Sequence, residues 1–383
     1  MLHYDAVVLG VGGMGSAALY HLARRGLRVL GIERYNIPHD MGSSHGLTRI
    51  IRLAYYEHPA YVPLLRRAYE LWRQLEHTVQ ERLLLITGSV DASSADGEVF
   101  KGSKTSCDLH HLPHEILDSH ELRRRFPGYQ LPHDIAAVYQ PDGGFLLSER
   151  CIVAHVMAAQ ELGAEVHGQE CVLSWELNGQ GVALHTDRDH YSANKLVICA
   201  GAWGAKLVPE LATLAVPERQ VLAWFQPSRP ALFRMPSFPV FNIAVEEGHY
   251  YGFPLYGIPG FKVGRYHHLE QRVDPDHMDR QTHWEDEDIL RRFTTRYFPA
   301  AAGPTLSLKT CLFTNSPDEH FILDLHPQWP QVCIAAGFSG HGFKFCSVVG
   351  EIMADLAQTG HSPHNLDLFR LQRFQKTAQV PAL

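Results

Sequence analysis

The sequence predicts an α/β fold, with a Rossmann-like nucleotide-binding domain assembled from separated segments and a mixed-β domain inserted between them. Three observations predict it. The chain opens with a strand, a glycine run, a helix and a second strand that closes on an acidic residue. Two further strand–glycine–helix pieces stand in the middle and at the end. The two long stretches between these pieces carry a strand-rich pattern instead of the βαβ rhythm.

The opening unit follows from its residues. DAVVLG (5–10) is a short apolar run suited to a buried parallel strand. Gly10-Val11-Gly12-Gly13-Met14-Gly15 fits GxGxxG. Gly10 allows the tight turn, Gly12 lets the backbone approach a pyrophosphate, and Gly15 lets the helix pack close to the strand. Met14, Ala17, Ala18 and Leu22 make one helix side, and Arg24-Arg25-Gly26 supplies a basic last turn and a stop. LRVLGIE follows and closes on Glu33, placed to accept hydrogen bonds from ribose hydroxyls. An acid there disfavours a ribose 2′-phosphate, which leaves FAD and NAD.

The remaining elements follow in order. Residues 61–76 form an amphipathic helix with Leu64, Leu65, Ala68, Leu71, Trp72 and Leu75 on its apolar face. Residues 85–147 read as short strands and turns with one helix near 119–125. Ser148 caps a helix that stops at Gly163. Strands follow near 165–173 and 181–186, and LVICAGAWG (196–204) is a strand ending in glycines. Residues 217–307 are again strand-rich, and VCIAAGFSGHGFKFCSVVGEIMADLA gives strand, glycine loop and helix up to Gly360. Segments 1–88, 148–216 and 308–383 thus make a discontinuous FAD-binding domain. Segments 89–147 and 217–307 make the substrate domain. This interleaving suits an extended FAD better than NAD, whose Rossmann unit is usually one contiguous block.

Composition narrows the function. The 383 residues are 45% apolar and 20% charged, as expected of a globular protein with a large core. The net charge of −7 argues against a nucleic-acid-binding surface. Seven cysteines, an odd number with no CxxC spacing, argue for a reducing compartment and against a structural zinc site. No leader pattern precedes the first strand, and no apolar run approaches the roughly 20 residues of a membrane span. The expectation is a cytoplasmic protein without a metal and without a membrane or nucleic-acid partner. GFSGHG is not GxSxG, and no HExxH or P-loop pattern occurs.

GSSHGLTRIIRLAYYE (42–57) resembles the N-terminal signature of the monomeric sarcosine oxidase and N-methyltryptophan oxidase family, FAD amine oxidases of glutathione-reductase-like fold. The likeness continues through HYYGFP (249–254), FKVG (261–264), NSPDEHFILDLHP (315–327) and GFSGHGFKF (337–345), in order and at similar spacing over nearly the whole chain.

The resemblance implies roles that the residues alone do not. Cys311 matches the cysteine that tethers FAD by a thioether to the flavin 8α carbon; without the likeness it reads as a buried core cysteine. Arg52 and Lys344 match the pair that holds the substrate carboxylate. Lys262 and Arg49 match the cations beside the flavin, the lysine being the site of dioxygen activation. His45 and Thr48 match residues near the cofactor, and Tyr251 matches a pocket tyrosine. Gly337, Gly340 and Gly342 would let their loop approach the flavin. Two positions depart from the family. Phe313 stands where a pocket tyrosine is expected. The pocket histidine expected four residues after Lys262 is replaced by Tyr266, so that either His267 takes the role through a one-residue shift or Tyr266 fills it; His267 is preferred. The implied activity is oxidative demethylation of an N-methyl amino acid by a monomer, with dioxygen as acceptor and peroxide as product. The alternatives are oxidation or dehydrogenation of a cyclic secondary amino acid such as pipecolate or proline, and a flavin-binding scaffold without turnover.

Overall fold

The protein, a computed structural model described over residues 2–377, carries three sheets. The first has a parallel centre in the spatial order Glu165–His167, Val29–Ile32, Leu2–Leu9, His190–Ile198, Val332–Ala336. Antiparallel strands Val172–Asn178, Gly181–Thr186 and Ile322–Leu325 extend it. Leu2–Leu9 sits in the middle because Tyr4 and the run Ala6 to Leu9 are buried on both faces, as a central parallel strand requires. Helix Gly13–Arg24 crosses to Val29–Ile32 and packs on helices Ser148–Glu161 and Cys346–Thr359.

Two glycines of the first turn are demanded by packing. Gly10 has φ +87°, and a Cβ on Gly15 would lie 1.7 Å from the Gly10 carbonyl oxygen. The helix therefore starts directly against the strand end and aims its free N–H groups past it.

The second sheet is mixed. Its order is Thr305–Asn315, Val216–Phe225, Phe261–Arg265, Gly248–Phe253, Val240–Val245, Ser89–Ser94, Ile135–Gln140, Glu115–Asp118, with one parallel pairing between Val240–Val245 and Ser89–Ser94. Helix Trp284–Tyr297 covers it over an aromatic core that includes Phe225, Phe241, Phe261, Phe293 and Phe298. A third, three-stranded sheet joins Thr48–Ile51, Gly144–Leu147 and Leu84–Ile86.

Several expectations change. Strand Thr305–Asn315 pairs with Val216–Phe225 along nearly its whole length, so the segment boundaries drawn at 216 and 308 run through strands of the second sheet. Ser148 is the first helical residue, and its hydroxyl donates to Glu149 instead of accepting a backbone N–H. Two helices absent from the sequence reading occur at Glu98–Leu109 and Trp284–Tyr297. The first is polar, with a glycine inside it, and so gives little helical signal. Gly102 is there because a Cβ would lie 2.3 Å from the Tyr56 carbonyl oxygen. Helix Val62–Val79 buries the six apolar residues expected of it.

All seven cysteines are free. Among the described residues no cluster of metal-ligating side chains occurs, and no helix is long and apolar enough to cross a membrane.

Helix Cys346–Thr359 meets helix Gly13–Arg24 through Gly350, where a Cβ would lie 2.5 Å from the Ala17 backbone carbon. Gly350→Ala should destabilise the protein by about 1–3 kcal/mol through overpacking. Chemical denaturation of the two proteins checks it; equal midpoints would mean that the helices part without cost.

Candidate active site

A long groove runs from the Glu33 end of the first sheet, past the start of helix Gly13–Arg24, to Arg49, Phe313, Gly340 and Phe343. Its empty volume is about 1670 Å³, solvent at the mouth included. Gly12 is the telling residue in it. A Cβ there would meet nothing within 4 Å, so the protein's own packing does not require this glycine. The space belongs to whatever fills the groove, next to the unsatisfied amides of a helix N-terminus. Glu33 is buried, and its carboxylate accepts the Val11 N–H at 2.9 Å and the Tyr35 N–H at 3.0 Å. These bonds hold it rigid, with lone pairs remaining for a ribose. The groove thus fits an extended dinucleotide.

At its far end the turn 43–48 brings together five of the expected residues. The Lys262 ammonium reaches from strand Phe261–Arg265 and donates to Gly46 O at 2.7 Å, Thr48 O at 2.8 Å and Thr48 Oγ1 at 2.9 Å. Burial and the Arg49 charge push its pKa well below the usual lysine value. The three oxygens nonetheless match the three N–H donors that only the ammonium form has. Arg49 donates to Thr48 O and Ser43 O, and its guanidinium lies 3.5 Å from the Cys311 sulfur. Burial alone would raise the Cys311 thiol, but His45 and Arg49 beside it outweigh that and bring it down to about 6. Burial raises the other six cysteines. His45 is itself buried, and among the described residues neither ring nitrogen has a hydrogen-bond partner.

One residue past strand Thr48–Ile51, Arg52 is almost fully buried. It donates to Ala54 O at 2.6 Å and to both Glu57 oxygens at 2.9 and 3.0 Å, and its Nε lies 3.4 Å from Asp91. The Tyr55 and Tyr56 rings sandwich it, each at 4.6 Å. Burial raises Asp91 to about 6 against the pull of Arg52. Lys344 also lies near Tyr55, 5.3 Å from the ring centre. Its one hydrogen-bond partner among the described residues is His341 O, at 2.7 Å. Trp72 fixes this loop by donating its indole N–H to Lys344 O. The His341 ring is held between Tyr55 and Glu319 O.

The wall beside these cations is aromatic. Tyr266 stacks on His249 at 4.4 Å, and His249 meets Tyr56 edge-on at 5.3 Å. Tyr266 also packs against Tyr251 and Phe313. His267, preferred for this wall on sequence grounds, touches it only edge-on at Phe313, at 6.4 Å. At φ +53° it lies between Glu218 at 3.2 Å and Glu319 at 3.1 Å, and bonds to both raise its pKa to about 10. Tyr266 therefore occupies the wall, and His267 belongs to an ion-pair triad. Gly340 has φ +76° and lies so close to Phe313 that a Cβ would come within 2.3 Å of the ring.

Residues 5–356 match the family described as FAD dependent oxidoreductase. The chain is 41% identical over 376 residues to monomeric sarcosine oxidase of Bacillus sp. strain NS-129, with 97% of each chain covered. The chain belongs to this FAD-dependent oxidoreductase family. It is 42% identical over 384 residues to monomeric sarcosine oxidase of Streptomyces avermitilis, covering 99% of each. It is 35% identical over 376 residues to N-methyl-L-tryptophan oxidase of Yersinia pestis, covering 98% of this chain and 100% of that one. Among solved structures it resembles NikD, an unusual amino acid oxidase essential for nikkomycin biosynthesis, with a TM-score of 0.85, 25% identity and 97% and 98% of the two chains covered. L-proline dehydrogenase from P. horikoshii shares the fold at a TM-score of 0.85 and 22% identity, over 98% of this chain and 99% of that one.

Within this FAD-dependent oxidoreductase, sequence reasoning missed Glu57, Asp91, Tyr56 and His249. Glu57 and Tyr56 lie inside the quoted signature and could have been paired with Arg52 from their spacing. His249 lies inside the quoted HYYGFP segment, whereas Asp91 reaches the site only through sheet pairing, which no local signal announces.

Burial pushes Lys344 down to about 7, and the Arg52 charge adds to the shift. Its charge is lost as pH rises through about 7. Acetate, ionised throughout this range, should bind most tightly below pH 7 and weaken by up to about tenfold per pH unit above it. Calorimetric titration from pH 6 to 9 checks this. A flat profile, or one that survives Lys344→Met, would place the anion elsewhere.

Proposed function

We propose that this FAD-dependent oxidoreductase demethylates sarcosine-type N-methyl amino acids oxidatively, giving the amino acid, formaldehyde and hydrogen peroxide. The observation that carries the reading is the placement of two buried cations, Arg52 and Lys344, around Tyr55, one strand away from a second pair, Lys262 and Arg49. Bound FAD supplies the two-electron acceptor for the C–N oxidation. The chain's residues supply the rest. Lys344 has two N–H donors free for a substrate carboxylate, which also competes with Glu57 for Arg52. Fixing the carboxylate fixes the amine and its methyl carbon. The surrounding positive charge favours the neutral amine, whose lone pair the oxidation needs. Lys262 and Arg49 place positive charge where dioxygen gains its first electron. Gly10, Gly12, Glu33 and Gly340 line the cofactor groove, Gly15 packs behind it against Gly10, and Thr48 and His45 lie in the turn at its reactive end.

The half-buried cluster of Tyr266, His249 and Tyr56 supports a small substrate, because a bulky side chain would have to displace packed rings. The higher identity to the sarcosine oxidases points the same way. Cys311, the one thiol held down by neighbouring cations, supports a covalent thioether to FAD. The unpaired cysteines support a reducing, cytoplasmic setting, and the name of the sarcosine-oxidising relatives supports a monomer.

In anaerobic titration sarcosine should bleach the flavin and N-methyl-L-tryptophan should not. Lys262→Met should keep this bleaching while reoxidation by dioxygen slows about 10²–10³-fold. If only the tryptophan derivative bleaches, the aromatic wall opens; if neither does while pipecolate does, the substrate is cyclic. Bleaching by none of the three, in a flavin that dithionite reduces, would leave the scaffold reading.

The wild-type flavin should stay with the protein after acid precipitation, whereas the Cys311→Ser protein should release it. Yellow colour in the pellet of the variant would assign the tether to another residue.

A further inference from the structure

The turn that holds Lys262 is not self-supporting. Thr48 N–H donates to Gly46 O at 2.9 Å across Leu47, which has φ +74°. That is a three-residue turn in a conformation that non-glycine residues avoid. Gly46 before it is also left-handed, at φ +89°. Such a turn persists only where its surroundings hold it.

Glu149 holds it. Its Oε1 accepts the Gly46 N–H at 2.7 Å and the Leu47 N–H at 3.1 Å, and its Oε2 also lies 3.1 Å from the Leu47 nitrogen. The Ser148 hydroxyl donates to Oε2 at 2.6 Å, and the Ser148 N–H donates to Leu47 O at 3.1 Å. The Leu47 N–H and the Gly46 C=O belong to one peptide group. Lys262 donates to that same C=O at 2.7 Å. A single peptide plane is thus clamped between a carboxylate on its N–H side and an ammonium on its C=O side. Opposite charges polarise the plane in the same sense, so each bond strengthens the other. Glu149 does not line the nucleotide groove. It faces an adjoining cavity with His45 and Gln169, neither of which lines the groove.

We propose that Glu149 is a positioning residue for the reaction with dioxygen, holding the 46–48 turn in the one conformation that presents Gly46 O, Thr48 O and Thr48 Oγ1 to Lys262. The inference rests on the proposed role of Lys262. Without the carboxylate, Leu47 relaxes out of the left-handed region and its carbonyl partners turn away. Lys262 then loses its fixed place, while Arg52 and Lys344 keep theirs.

The test separates the two half-reactions. Holoenzyme reduced by dithionite is mixed with dioxygen in a stopped-flow instrument, and flavin reduction by sarcosine is followed anaerobically. Glu149→Ala should reoxidise at least tenfold more slowly than the wild type, with anaerobic reduction within about twofold. Glu149→Gln, which keeps one acceptor oxygen, should lie between, and serves as the test should the alanine protein not fold. The double variant Glu149→Ala/Lys262→Met should reoxidise no more slowly than Lys262→Met alone, since both act through one group. Wild-type reoxidation in both Glu149 variants, an equal fall in both half-reactions, or additive losses in the double variant would each overturn the proposal. Wild-type reoxidation in Lys262→Met alone would instead overturn the reading of Lys262 on which it stands.

Discussion

Burying a cation costs several kcal/mol unless a nearby group answers it, and Arg52, Lys262 and Lys344 are each 5% exposed or less. How each is answered sets the character of the site. Arg52 has two carboxylates, a carbonyl and two ring faces. Lys262 has three neutral oxygens, with the Glu149 charge one peptide away. Lys344 has one carbonyl and, farther off, the Tyr55 and Phe345 rings, but no carboxylate in contact. An uncompensated charge at 4 Å is worth about 4 kcal/mol at an effective dielectric constant of 20. The least-answered cation is therefore the one with most to gain from an arriving anion, and that cation is Lys344.

The fold delivers these charges on or beside strands, except Lys344, whose loop is tied down by Trp72. Arg49 and Arg52 lie on and just past Thr48–Ile51, Lys262 on Phe261–Arg265, Cys311 on Thr305–Asn315. The last two strands flank Val216–Phe225 in one sheet, so their spacing is fixed by ladder bonds. Side chains on such strands hold position far better than those on mobile connections. The 43–48 turn is a further exception, which is why it needs Glu149 behind it.

Legibility in the sequence followed the range of each interaction. The Gly10–Glu33 unit was readable because every requirement in it, the turn, the close approach and the terminal acid, is local. The cations were readable only through likeness to relatives. Glu149 and Asp91 were not readable at all, because Glu149 bonds the backbone of Gly46 and Leu47 and Asp91 meets the side chains of Arg52 and Asn242, and partners so distant in sequence leave no trace in the neighbouring residues. The choice between Tyr266 and His267 was lost for a different reason. Counting from Lys262 assumes that the strand continues, but the strand ends at Arg265 and His267 turns left-handed. Past a turn, residue count no longer decides which side chain faces the site. The acids Glu218 and Glu319, distant in sequence, then capture the histidine.

The pairing of Arg52 with Glu57 bears on how a substrate can bind at all. A guanidinium waiting bare in an apolar site would be costly to keep, and one paired too firmly would refuse a ligand. Glu57 resolves this by being a carboxylate of the same kind as the group it yields to. Its oxygens hold Arg52 at 2.9 and 3.0 Å, and its side chain retains some exposure. Exchange of one carboxylate for another leaves Arg52 paired throughout, so no cation is stripped of its partner inside the protein. The driving force then comes from what Glu57 lacks in its present place: contact with Lys344 as well as Arg52. On the proposed role of Arg52 and Lys344, a ligand carboxylate that reaches both cations gains an interaction that Glu57 lacks, set against the loss of Glu57's own partner, whereas an amine without a carboxylate has nothing to exchange for Glu57. Discrimination in favour of amino acids over simple amines follows from that exchange, before any contact with the rest of the substrate is counted.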